Sequence, residues 1–404
     1  MISNQMVSGL MLVAGLMATG PARSDTVTDW NKLAADITVA QVQSPVLGNH
    51  ILAVVQTAVF LAVNAITQTY EDERITIDAR PGASVDTAIA VANRNVLLQL
   101  VPAQKAAIDQ AYEAALARVT DGEDARSAGI AVGEQAATAA VGWYGAQKMR
   151  AIEPYRPVSN PGVYIPTVDV AAWNWGARPT WILKSSDQLR PPPPPALNSQ
   201  DWAKDYDEVN RLGGLNSTQR SAEQTEIALF WQATVPTIYY PVLRSVAQAP
   251  GREITRNARL LAIAGQAMDD ALIAVFDAKY FYRFWRPVTA IRNGDRDENE
   301  ATTRVPDWEP LIATPMHPEY PCAHCIVSGT VAGLIRADLG DEPCPLLSTT
   351  SPALPGVTRS WKTPDEFAQE VADARVFDGV HYRTSAVVGT AMGARLAAMA
   401  MPAR

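Results

Sequence analysis

Residues 255–284, TRNARLLAIAGQAMDDALIAVFDAKYFYRF, decide the architecture. Leu260, Ala264, Ala267, Ala271 and Val275 return at intervals of three and four, the period of a helix with one apolar face rather than the alternation of a strand. The stretch predicts one long helix with these residues lining one face. The same period continues on both sides of it. Upstream, Ser84 and Asp86 cap a helix over 85–100 closed by Pro102; a second spans 103–118 ahead of Asp121-Gly122, and a third runs over 124–143. The apolar run from Ile51 to Ile66 contains Gln56 and Asn64 and is shorter than the roughly 20 residues a membrane helix needs, so it reads as a buried core helix. Downstream, Asn216-Ser217-Thr218 predicts the cap of a helix reaching Trp231, and Ile326 to Ile335 form a small-residue helix. The expected fold class is all-α, arranged as two packed helical bundles.

The segment from Glu153 to Leu197 has a different character. Pro154, Pro157, Pro161, Pro166 and Pro179 punctuate it, and Pro191 to Pro195 make an unbroken run. Such a run is extended and has no backbone donors, which suits a stiff connector. The expected layout is an N-terminal bundle over 25–152, a proline-rich connector over 153–200 and a C-terminal bundle over 201–404. Residues 1–24 form the expected signal peptide: an apolar run from Met6 to Ala18, then Ala22-Arg23-Ser24 ahead of Asp25, although no Lys or Arg precedes the run. Export to a periplasm or the exterior is the corresponding expectation, with no transmembrane anchor.

Composition removes several classes of function. The 404 residues carry 34 Lys and Arg against 42 Asp and Glu, a formal charge of −8 that disfavours a nucleic-acid partner. Three cysteines and four histidines exclude a disulfide-rich scaffold and a Cys-rich zinc protein. No GxGxxG follows a strand pattern, and neither a Walker A loop nor GxSxG occurs.

Chemistry gathers in three segments of the last third. In Asp277 to Pro287, Lys279 and Arg286 lie seven apart, about two helical turns, and are expected on one face, where two cations among aromatic rings call for a shared anion. Pro287 is expected to end the helix at Arg286. In His317 to Cys325, Pro321 stands just before a helix start, so Cys322, Ala323 and His324 fall in a first turn rich in free amides, and His324 is placed to act as acid or base. In Ala374 to Arg383, a turn at Asp378-Gly379 separates Arg375 from His381, which lets a guanidinium fork and an imidazole converge. Together the segments predict a cationic, histidine-bearing oxyanion pocket.

Lys279-x6-Arg286-Pro287, Pro321-Cys-Ala-His324 and Arg375-x3-Gly379-x-His381 resemble the ordered three-part signature of vanadium-dependent haloperoxidases and type-2 phosphatidic-acid phosphatases. Trp30-Asn31, Ala62 to Ile66, Arg190 to Ser199 and Glu208 to Gly213 are similar to bacterial haloperoxidase-like proteins. The resemblance implies a vanadium chloroperoxidase-like fold with the active site in the C-terminal bundle. It implies that Lys279, Arg286 and Arg375 hold the oxygens of vanadate or phosphate, with Cys322, Ala323 and His324 completing the cradle. His381 would be the axial vanadium ligand or the phosphohistidine nucleophile, His324 the acid–base residue, and Lys279 the group that polarises bound peroxide. The implied activity is oxidation of halide by hydrogen peroxide with vanadate as cofactor. The alternatives are an acid phosphatase acting on phosphate monoesters through phospho-His381, or an oxyanion-binding homologue with weakened turnover. A homo-oligomer is compatible with the pattern.

The chain departs from the pattern at four positions. Cys322 replaces Ser, Ala323 replaces Gly, Ala374 replaces the Ser before the motif arginine, and Ser385 stands where an Asp would follow the histidine by four. The last change removes a carboxylate expected to orient His381. Cys322-Ala-His-Cys325 also reads as a C-x-x-C redox or metal pair, haem attachment being excluded by Ile326. Pairing of Cys325 with Cys344 or with Cys322 stays open.

Overall fold

The computed structural model describes residues 25–42, 44–71, 75–146 and 148–402. The signal-peptide reading of 1–24 lies outside the described residues. Helices dominate: α1 (Thr26–Gln41), α2 (Pro45–Thr67), α3 (Val85–Leu100), α4 (Lys105–Leu116) and α5 (Glu123–Ala146) come first. After the proline-rich stretch come α6 (Gln200–Leu212), α7 (Ala222–Phe230), α8 (Tyr240–Ala247), α9 (Ile254–Tyr282), α10 (Pro287–Arg292), α11 (Ala323–Leu339), α12 (Pro364–Phe377) and α13 (Arg383–Ala400). Among the described residues one antiparallel hairpin, β1 (Leu347–Thr350) with β2 (Thr358–Trp361), interrupts the all-helical pattern, with Leu347 opposite Trp361.

Local chemistry sets these boundaries. Ser84 accepts from the Thr87 amide at the head of α3, and Thr363 with Glu366 forms a reciprocal capping box at the head of α12. The helix expected from Asn216-Ser217-Thr218 begins later, because Ser221 with Gln224 makes the capping box of α7, while Ser217 folds back onto Arg211 and Arg220. Helix α4 is also shorter than expected: Pro102–Gln104 form a separate 3₁₀ turn.

Helix α9 is the central element. It packs on α2 through Gly265, which lies against Ala53, Gln266, which donates to Thr57, and Asp269, which pairs with His50, and it also contacts α11 and α13. Helix α2 is long and apolar enough to span a membrane, yet 89% of its most apolar window is buried inside the protein. One continuous hydrophobic core runs from Trp30 and Val55 through Leu261 and Ile273 to Val331 and Leu396, so the two bundles share an interior. Helices α11 and α13 approach at backbone distance: a Cβ on Gly389 would stand 2.7 Å from the Cys322 carbonyl oxygen. That approach fixes the start of α11, which carries the oxyanion motif, against the helix that follows His381.

Residues 153–200 do more than join the bundles. The amides of Trp181, Ile182 and Leu183 all donate to the buried Asp270 carboxylate at 2.8–2.9 Å, and Arg190 pairs with Asp277 at 2.7 Å. The proline run has no donors, but its carbonyls accept: Tyr282 Oη donates to Pro191 and Tyr320 Oη to Pro192 (2.8 Å). The stretch is stitched along α9 and ends beside the site.

Candidate active site

Helix α9 stops at Tyr282, earlier than Pro287 alone would dictate. Arg283 takes a left-handed conformation (φ 54°), and a short extended segment beyond it bridges through Phe284 to Val163, with the Tyr164 amide donating to the Arg283 carbonyl (2.7 Å) and the Trp285 amide to that of Gly162 (3.0 Å). Lys279 therefore sits in the last turn of α9, while Arg286 is the residue ahead of α10. The expectation that both share one helical face is corrected. They converge because the extended segment turns Arg286 back beside the same loop.

Both cations are fully buried. Lys279 Nζ donates to the carbonyls of Pro318 (3.1 Å) and Glu319 (2.6 Å). Arg286 donates from Nε to the His317 carbonyl (2.9 Å) and from Nη1 to that of Val380 (2.7 Å), and its Nη2 lies 3.0 Å from His317 Nδ1. Arg375, in the last turn of α12, donates to the Trp231 carbonyl (2.9 Å) and pairs with Asp378 at 2.8 Å, while its Nε is buried without a partner. Gly379 provides the turn beyond (φ 81°), where a side chain would collide with the Gly213 carbonyl. The turn returns His381 to within 3.4 Å of Arg286 Nη1 through its Nε2.

The other face of His381 meets a residue that sequence reasoning missed. Its Nδ1 lies 2.7 Å from Glu319 Oε1, which also accepts from the Tyr382 amide (3.1 Å). Ser385 Oγ is 3.5 Å from the same Nδ1. The loss of the aspartate at 385 therefore does not leave His381 without a carboxylate. Glu319 was in plain view inside the quoted motif, but nothing local signalled that its side chain crosses 62 residues of chain to reach the histidine.

At the start of α11, Cys322 is the capping residue and is disulfide-bonded to Cys325, which leaves Cys344 as the free thiol. The open pairing is thus resolved. Cys322 is fully buried, and its sulfur accepts from the Cys325 amide (3.1 Å), so it offers no thiol donor to an anion. Ala323 and His324 occupy the first two positions of α11, where amides have no carbonyl a turn earlier. His324 Nε2 lies 3.1 Å from the Ala233 carbonyl.

A cavity of about 530 Å³ opens beside these groups. His317, Ala323, His324, Arg375 and His381 reach its surface, so His317, outside the motif positions, joins the site. Trp175, Val235, Leu272, Phe276, Ile312 and Met316 make the rest of the wall largely apolar. Trp175 comes from the proline-rich segment, again without a sequence signal.

Electrostatics follow from burial of like charges. Burial, then Arg286, pushes the Lys279 ammonium well below its ordinary value. Burial, then neighbouring guanidinium groups, holds His317, His324 and His381 neutral far down the pH scale: Arg286 for His317 and His381, Arg375 for His324. Burial lowers Arg286 to about 10 and raises the carboxyls of Glu319 and Asp378 to about 7, against the pull of the cations. A cage in which cations shed protons is one that gains by taking up an anion.

Residues 259–403 match the family model for the VCPO second helical-bundle domain. The vanadium chloroperoxidase of Curvularia inaequalis is 28% identical over a 221-residue alignment. That alignment takes in 46% of this chain and only 36% of the relative, about a third of its length. Among solved structures, a bacterial vanadium-dependent iodoperoxidase is similar with a TM-score of 0.76 and 22% identity, covering 93% of this chain and 95% of that one. A holo-type bacterial vanadium-dependent chloroperoxidase is similar with a TM-score of 0.69 and 19% identity, covering 91% and 92%. Residues 259–403 thus match the VCPO second helical-bundle domain, and the chain as a whole has the vanadium-haloperoxidase fold.

Proposed function

We propose that this protein is a vanadate-dependent haloperoxidase-like enzyme that oxidises halide with hydrogen peroxide. The observation that carries the reading is the convergence of Lys279, Arg286 and Arg375 on a His381 whose Nδ1 is tied to a carboxylate and whose Nε2 faces the guanidinium of Arg286. Such a donor set repels a bare cation and suits a tetrahedral oxyanion. The unpartnered Arg375 Nε and the first amides of α11 are the donors such an anion would satisfy.

Vanadate held there would supply a Lewis-acidic metal that activates peroxide without changing oxidation state. The chain's own residues do the rest. Lys279, Arg286 and Arg375 neutralise and orient oxygens, His381 presents the Nε2 lone pair, and His324 at the cavity wall is placed to pass a proton. The apolar wall around Phe276 and Trp175 limits water at the site. Export belongs to the same reading and is supported by the Cys322–Cys325 disulfide, a bond that persists in oxidising compartments. Mass spectrometry of mature protein from the culture is expected to find Asp25 at the N-terminus.

The test is one comparison on purified protein. Peroxide- and halide-dependent halogenation is measured with and without orthovanadate, beside hydrolysis of a phosphate monoester, for wild type and His381→Ala. Halogenation that requires vanadate and disappears in the variant is the expected result. Hydrolysis alone, lost in the variant, would replace this reading by a phosphatase acting through phospho-His381. Binding of neither oxyanion would overturn both.

A further inference from the structure

We propose that Glu319 is the positioning residue for His381, a carboxylate supplied from ahead of α11 in place of the one that Ser385 no longer offers. The inference rests on the oxyanion-site reading above but concerns the histidine itself. Glu319 is fully buried, and a single oxygen, Oε1, accepts from both His381 Nδ1 (2.7 Å) and the Tyr382 amide (3.1 Å). The amide contact fixes the carboxylate relative to the backbone that carries the imidazole, so ring orientation and chain position are set by the same atom. Ser385 Oγ stands 3.5 Å from Nδ1, too far to take that role and uncharged.

The consequence is chemical. An imidazole whose Nδ1 hydrogen is donated to a carboxylate keeps its lone pair on Nε2, the atom beside Arg286 Nη1, and is a stronger donor through it. Glu319 also joins the two halves of the site: its carbonyl accepts from Lys279 Nζ (2.6 Å) while its side chain holds His381. A carboxylate that reaches the histidine from before α11, rather than from the helix after it, couples the setting of His381 to the seating of Lys279.

A purely structural ion pair would behave differently, and three proteins separate the two: wild type, Glu319→Ala, and Glu319→Ala combined with Ser385→Asp. The chain has only four histidines, so ¹⁵N-histidine NMR can follow the His381 ring directly, its signal assigned by loss in His381→Ala. Wild type is expected to carry the proton on Nδ1. Glu319→Ala is expected to populate the other tautomer, and the double variant to restore the first. Vanadate affinity, which uses the Nε2 lone pair, is expected to fall about 10–100-fold in Glu319→Ala. Phosphate affinity should hold or rise, because a negative charge has left the cage. Recovery of vanadate affinity in the double variant completes the expected result. Retention of the Nδ1 proton in Glu319→Ala would overturn the proposal, as would parallel losses of vanadate and phosphate binding with no recovery. If wild type binds phosphate but not vanadate, the haloperoxidase reading fails, and the tautomer measurement still decides the role of Glu319.

Discussion

The sulfurs of Cys322 and Cys325 are bonded to each other across the first turn of α11, with His324 between them in the chain. Both sulfurs are buried against Ala372 and Ala386, away from the cavity, so the bond holds the turn from behind while Ala323 and His324 face the site. Closing so short a loop contributes about 2 kcal/mol by the chain-entropy argument. Cys322→Ala with Cys325→Ala is expected to lower unfolding free energy by about that amount in urea titrations. The same titration of wild type under strong reductant should approach the variant. Equal stability of all three would show that packing alone sets the turn.

Burial and Arg286 depress Lys279, and a bound anion favours its charged form. Oxyanion binding therefore takes up a proton wherever free Lys279 has begun to lose its own, and affinity falls as pH rises through that range toward the ordinary 10.5. Tungstate suits the measurement, since its charge is constant at neutral and alkaline pH. Lys279→Arg, which stays charged, is expected to flatten the decline, and Lys279→Met to weaken binding at every pH. A slope unchanged in Lys279→Arg would assign the proton to another group.

Asp270 anchors the proline-rich segment through three amides, and burial raises its carboxyl to about 7. Asp270→Ala leaves those donors unsatisfied and is expected to cost about 3 kcal/mol or more. The raised value sets the sign with pH. The folded state holds this proton more tightly than the unfolded one, so the contribution is full below about 4 and is lost as pH rises through about 7. The stability gap between wild type and variant should be larger at pH 5 than at pH 8. A gap that widens with pH would contradict the assignment.

Gly379 combines a φ of 81° with contact against the Gly213 carbonyl. Gly379→Ala is expected to cost at least the 1–2 kcal/mol of a left-handed non-glycine residue. Because the turn presents His381 and supports Arg375, vanadate affinity should fall with the thermal midpoint. An alanine variant with an unshifted midpoint would show that the turn has room to rearrange.

Much of this site was legible along the chain because its elements announce themselves locally. The three-and-four spacing from Leu260 to Val275 located α9, and Pro321 marked the start of α11 to within two residues. Gly379 flagged the turn that separates Arg375 from His381. What was not legible depends on distant backbone. The end of α9 at Tyr282 is set by the pairing of 283–285 with 162–164, which no local pattern encodes. Glu319 looked like one more polar residue between two prolines until the fold placed His381 within 2.7 Å of it. Trp175 and the Pro191 and Pro192 carbonyls gained meaning only when their segment lay against the site.

The hold of residues 153–200 on the site also bears on which parts of this protein can be recombined. A fragment confined to 259–403 would lack Trp175 from the cavity wall, the carbonyl acceptors of Tyr282 and Tyr320, and the strand-like partner that bends Arg286 into place. The unit that could be transplanted between relatives is therefore larger than the unit by which they are recognised, and its natural cut lies ahead of the prolines, not behind them.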